Sequence, residues 1–168
     1  LRTHLAAPVA APIQVGRRSR VALYSHDTMG LGHRRRNLLV AHALAGAPLH
    51  ASTLLVVGAA ASVAWPLPPG ADSLSLPAFR KEPDGRYGSR HLDLSLATLV
   101  GLRSSAIRAA LSSFAPDVLI VDNVPGGALG ELLPTLEHLR RRGRTRCVLG
   151  LRDVLDEPVA TREEWRRN

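Results

Sequence analysis

Short stretches of consecutive apolar residues, each ending in glycine or polar residues, constrain this chain more than any other feature. They fall at 20–25, 52–57, 117–121 and 147–151, and 72–76 reads as a further strand. A strand half-exposed to water alternates apolar and polar residues, so strands apolar throughout are expected to be covered on both faces. The segments between them carry helical spacing. Leu38, Ala41, Leu44 and Ala45 share one helical face, and Gly46 with Pro48 stops that helix. An alanine-rich helical stretch closes at Trp65-Pro66. Leu92, Leu96, Leu99, Val100, Ile107, Leu111 and Phe114 recur at threes and fours, and a further helix is expected over 129–142, ending at Gly143. Residues 77–90 read as a polar loop with a turn at Pro83-Asp84-Gly85. Strands alternating with helices in this way predict an α/β domain, a doubly wound parallel sheet with helices on both faces.

At 168 residues the chain suits one such domain. Residues 1–18, rich in alanine and proline, read as a tail or linker without a signal-peptide core, 19–158 as the domain, and 159–168 as the start of a following segment. Opening on Leu1 and stopping at Asn168, it reads as the first part of a longer chain. A single cysteine, Cys147, fits a reducing, cytoplasmic compartment and is expected in the core.

The net charge of +8 is carried almost wholly by arginine, Lys81 being the single lysine. That bias resembles high-GC codon usage, and aromatics for stacking on bases make up only 4% of residues, so no nucleic-acid partner is expected. Attraction to phosphate or to anionic lipid, and with it peripheral contact at a membrane face, stays open. No charged residue lies between Arg36 and Asp72, but His42, Gly46, Pro48 and His50 interrupt that stretch before a membrane span accumulates.

Doubly wound sheets bind ligands at the carboxyl ends of their strands, where the strand order reverses. The strands here are bland, whereas their ends gather His26-Asp27-Thr28-Met29-Gly30-Leu31-Gly32-His33, then Asp122-Asn123-Val124-Pro125-Gly126-Gly127, then Arg152-Asp153. Gly30 and Gly32 would let backbone N–H groups approach an anion at the start of a helix, or would simply serve a tight turn. The third position of a dinucleotide fingerprint is Arg35, and no acid follows some twenty residues on, which disfavours a dehydrogenase. Arg34, Arg35 and Arg36 crowd the positive end of a helix dipole, a placement that invites a phosphate, an anionic acceptor or nearby carboxylates as compensation. His33 at that helix start is suited to be a general base, or is a helix cap; His26 and Asp27 are alternatives. Asp122, ending a buried strand, either caps the loop after it or has a functional role, and Glu131 either caps the next helix or faces the crevice. Arg152 and Asp153 form an internal ion pair or contact a further domain. The remaining histidines lack metal-ligand spacing, so no metal site and no cofactor are expected.

The stretch from Ser25 to Leu38, with Leu76-Pro77, Asp84-Gly85-Arg86-Tyr87, Pro116-Asp117, Asp122-Asn123-Val124-Pro125-Gly126 and Leu149-Gly150-Leu151-Arg152-Asp153 in order, resembles bacterial glycosyltransferases related to glycosyltransferase family 28. That group includes the N-acetylglucosaminyl transferase of peptidoglycan synthesis. The resemblance covers about residues 20–158. It implies the N-terminal, Rossmann-like, acceptor-binding domain of a GT-B fold, partnered by a C-terminal domain that holds the nucleotide-sugar donor. It implies inverting transfer of a sugar to an acceptor hydroxyl, with His33, or failing it Asp27, as base. Gly30, Gly32, Arg35, Asn37, Tyr87, Asp122, Asn123, Arg152 and Asp153 would contact substrate. Where the peptidoglycan enzyme has Gly-Gly-x-Gly-Gly-His, this chain has Thr28-Met29-Gly30-Leu31-Gly32-His33, two glycines fewer. A non-transferring relative, such as a nucleotide-sugar epimerase, and an inactive binding domain are the competing expectations.

Overall fold

A computed structural model describes residues 17–25, 32–58, 66–81, 86–151 and 162. Its centre is a five-stranded, all-parallel sheet of β1 (Arg20–Ser25), β2 (Ser52–Val57), β3 (Ala71–Ser75), β6 (Val118–Asp122) and β7 (Arg146–Gly150), in the order β3-β2-β1-β6-β7. The order runs outward in both directions from β1, so the topological switch lies between β1 and β6. In register, Val21 faces Val118 and Tyr24 faces Val121. The fold is the α/β, Rossmann-like one that the apolar strands predict.

Parallel neighbours require crossovers, and these cover both faces of the sheet. Helix α1 (Gly32–Ala45) links β1 to β2, α2 (Leu96–Phe114) precedes β6, and α3 (Leu133–Arg142) links β6 to β7. Alternate side chains of β1 feed two cores. Val21 and Leu23 pack with Ala41 of α1 and with Leu55 and Val57. Ala22 and Tyr24 pack with Ile107 and Leu111 of α2 and with Leu132 and Leu139. A strand so placed has no polar face to show, which explains its sequence.

Several boundaries depart from the expected ones, each for a local reason. Helix α2 begins at Leu96 because the Ser95 side chain accepts the Thr98 N–H at 3.2 Å as its N-cap. Leu92 and Leu94 therefore lie before the helix and are exposed. The helix expected from residue 129 is broken: Ala128–Gly130 form one 3₁₀ turn, and α3 starts at Leu133 with Pro134 in its first turn. Leu129 and Gly130 both have positive φ (52° and 75°), which an α-helix cannot accommodate. The polar loop contains a short antiparallel pair, β4 (Phe79–Lys81) with β5 (Tyr87–Ser89). Phe79 is buried and meets Tyr87 edge-on at 6.1 Å. Cys147 is exposed rather than core. It sits on β7, which pairs only with β6 among the described residues and exposes four of its five residues. The terminal tail over 1–16, the alanine-rich stretch over 59–65 and the tip of the polar loop lie outside the described residues.

Candidate functional site

The carboxyl ends of β1 and β6 are adjacent, and α1 rises from the first of them. That arrangement brings together residues 89 apart in sequence: His33 Nδ1 lies 2.5 Å from Asp122 Oδ2. One turn along α1, the Arg36 guanidinium reaches the other oxygen, Nη1 donating to Asp122 Oδ1 at 2.5 Å. The side chain of Asp122 is 2% exposed, that of His33 17% and that of Arg36 42%, so the carboxylate forms the floor and the imidazole and guanidinium the rim. Helix α1 has no acid in its first turn to balance Arg34 and Arg35. Asp122 supplies that negative charge from the neighbouring strand. The sequence left open whether this carboxylate caps its own loop. It does not: the Val124 N–H bonds the Asp122 backbone carbonyl, and the side chain turns to α1.

The chemistry of the pair follows from its geometry. A carboxylate accepts hydrogen bonds, so a neutral His33 on it carries its proton at Nδ1 and its lone pair at Nε2. Orientation by an acid at one ring nitrogen is the arrangement that lets the other nitrogen accept a proton from a hydroxyl. Gly32, the first residue of α1, is exposed, and a Cβ added there would meet nothing within 4 Å. Neither crowding nor positive φ demands glycine at that position. The space beside it is open, at a helix start, where backbone N–H groups favour an anion.

Beneath the crevice, on the α2 and α3 side, lies a buried polar network. Arg103 donates from Nε to Glu131 Oε2 at 2.5 Å and from Nη2 to Glu131 Oε1 at 2.6 Å. Its Nη1 donates to the Pro77 carbonyl at 2.5 Å, and the guanidinium lies 4.2 Å from the Phe79 ring centre. The Tyr24 hydroxyl donates to Glu131 Oε1 at 2.6 Å and accepts the Ala128 N–H at 3.0 Å. Burial, and then the adjacent Glu131 carboxylate, hold the Tyr24 phenol well above its usual range. Gly127, at φ 72° and ψ −176°, closes the arrangement. A Cβ there would stand 2.8 Å from the Tyr24 hydroxyl and 2.9 Å from Leu132 Cγ. The network thus ties the end of β1, the hairpin and the segment after Asp122 into one unit. The Glu131 side chain neither caps α3 nor faces the crevice.

Of the residues anticipated at the site, His33 and Asp122 meet. Asn123 follows at φ 66°, and its N–H bonds the Gly150 carbonyl at 2.9 Å, joining the ends of β6 and β7. Arg35 is exposed on α1, and it is Arg36 that pairs with Asp122. Asn37 continues the His33 side of the helix inward, at 3% exposure beside Ala41, and its Nδ2 has no hydrogen-bond partner among the described residues. Tyr87 packs on the hairpin, with Lys81 Nζ 5.9 Å from its ring centre. Asp27 and Gly30, with His26, lie outside the described residues, as do Arg152 and Asp153. Sequence reading overlooked Arg103 and Tyr24. The visible signal was an arginine at the fourth-residue step of the stripe Leu99, Ile107, Leu111, where a charge is tolerated only with a buried partner.

Among the described residues no group of three or more His, Cys, Asp or Glu side chains could hold a metal ion. No described helix is long and apolar enough to cross a membrane. Comparison with known proteins returns no matching family model and no matching curated protein.

Proposed function

We propose that this chain is the acceptor-binding half of an inverting, GT-B-type glycosyltransferase, with the crevice between β1 and β6 as its reaction site. The observation carrying the proposal is the His33–Asp122 pair at 2.5 Å across the topological switch. It supports a base oriented by a buried acid at the place where doubly wound folds bind ligands. The open helix start at Gly32 and the motif resemblance over 20–158 add to it.

In the proposed reaction, His33 Nε2 takes the proton of an acceptor hydroxyl as its oxygen bonds to the anomeric carbon of a nucleotide sugar. The bond from that carbon to the diphosphate breaks, and its electron pair leaves with the nucleoside diphosphate. Backbone N–H groups at the start of α1, with Arg35 at the exposed rim, offset the charge that builds on the leaving group. Asp122 holds the imidazole in register, and Arg36 holds Asp122.

The test is His33→Ala in the protein carrying both halves, with nucleoside diphosphate release followed over a panel of nucleotide sugars. A positioned base contributes about 10²–10⁴-fold, so turnover falls by that factor with the circular dichroism spectrum unchanged. Undiminished turnover in the variant removes His33 as the base. Epimerised sugar formed without any acceptor assigns the site to a non-transferring enzyme instead.

A further inference from the structure

The opposite end of the sheet, where the strands begin, holds a second charged cluster. A cavity of about 570 Å³ opens there with four arginines around it, Arg17, Arg20, Arg142 and Arg144. They come from different parts of the fold: Arg17 and Arg20 from the entry to β1, Arg142 from the last residue of α3, and Arg144 from the turn into β7. Leu139, Ala115 and Pro116 supply apolar wall, and Asp117 is the one acid among the described residues of the lining.

Part of this charge has a structural explanation. Arg17 Nη2 pairs with Asp117 Oδ1 at 2.5 Å, and the other oxygen of Asp117 accepts the Arg20 backbone N–H at 2.8 Å. Arg20 Nη1 donates to the Phe114 carbonyl at 2.9 Å, and Arg142 Nη1 to that of Ser112 at 3.1 Å, so both serve the carbonyl-rich end of α2. Arg144 has no such role: its guanidinium enters no ion pair or hydrogen bond with the described residues.

The balance of charge decides what the cavity suits. Among the described residues, four guanidinium groups against one carboxylate leave three positive charges, and guanidinium does not shed its proton. The carbonyl ends of α2 and α3 offset about half a charge each, so roughly two positive charges remain. Guanidinium groups match phosphate oxygens in geometry, and a phosphomonoester dianion matches the residual charge. A cavity of this volume is ligand-sized, and its apolar wall would take the body of an ester. We propose that this basal cavity binds a small phosphomonoester, at a site separate from the crevice.

The test measures thermal stabilisation of the whole chain by 5′-AMP, inorganic phosphate and adenosine, at ionic strength held constant with sodium chloride. AMP and phosphate should raise the melting temperature saturably, and adenosine should not. Arg144→Gln should weaken both at least tenfold, Arg144→Lys, which keeps the charge without the planar fork, should weaken them less, and His33→Ala should leave the affinity unchanged. Arg144 is exposed, so these variants keep the fold, as circular dichroism will verify. Absence of a saturable shift, an equal shift with adenosine, or full affinity in Arg144→Gln overturns the proposal. So does loss of binding in His33→Ala, which would move the anion to the crevice.

Discussion

Arg103→Leu is the most informative single perturbation of the fold. Arg103 is fully buried, donates three hydrogen bonds and lies against the Phe79 ring. Leucine would fill part of the volume but leave the Glu131 carboxylate buried with only the Tyr24 hydroxyl as donor. Breaking a buried ion pair from one side costs about 3–5 kcal/mol, because the remaining charge is uncompensated. The Pro77 carbonyl also loses its donor, worth about 1–3 kcal/mol by itself and not fully additive with the first. A total near 5 kcal/mol rivals the roughly 5–15 kcal/mol of a typical domain. Urea unfolding followed by far-ultraviolet circular dichroism should therefore show roughly a third or more of the stability gone, with the melting temperature lower by roughly 10–20 °C. The double variant Arg103→Leu with Glu131→Leu removes the stranded charge and leaves the Tyr24 hydroxyl without its acceptor, a loss of about 1 kcal/mol. It should be more stable than Arg103→Leu alone. A loss under about 1 kcal/mol in the single variant, or a double variant less stable than the single, would refute a charge-compensation role for Arg103.

Two further outcomes follow from the same network. Gly127→Ala should destabilise by about 2 kcal/mol or more, since its backbone region is open essentially to glycine alone and the new methyl would collide with Tyr24; melting at wild-type temperature would show that the loop relaxes freely. Tyr24 binds its proton more tightly in the folded chain than in the unfolded one, so above its usual value of 10.0 the native state holds more protons. Stability should then be undiminished by this group below about pH 10 and fall as pH rises toward the folded value, a slope that Tyr24→Phe removes. An identical alkaline slope in the two proteins would exclude Tyr24 as its source.

The candidate site was partly legible before the fold. His33 and Asp122 stood out because polar residues end strands that are otherwise featureless, and strand ends are where doubly wound sheets present side chains. Their partner Arg36 was one of three adjacent arginines with nothing local to distinguish it. Helical geometry selects it, since a three-residue step from His33 brings a side chain onto the same face, whereas Arg35 points elsewhere. Glu131 was misread because its partner lies 28 residues away on another helix.

By itself, the amino-acid sequence determined the alternation of strand and helix, the parallel character of the sheet and the residues at its strand ends. These depend on periodicity and on the apolar content of each segment, which are local properties. Tertiary structure alone decided that Asp122 turns to α1, that Arg103 and Glu131 neutralise one another in the core, and that the hairpin forms over Phe79. It likewise left Cys147 exposed on an end strand and gathered four arginines at the base of the sheet. Each of these is set by which distant groups share a region of low dielectric or a patch of surface, and spacing along the chain carries no record of that.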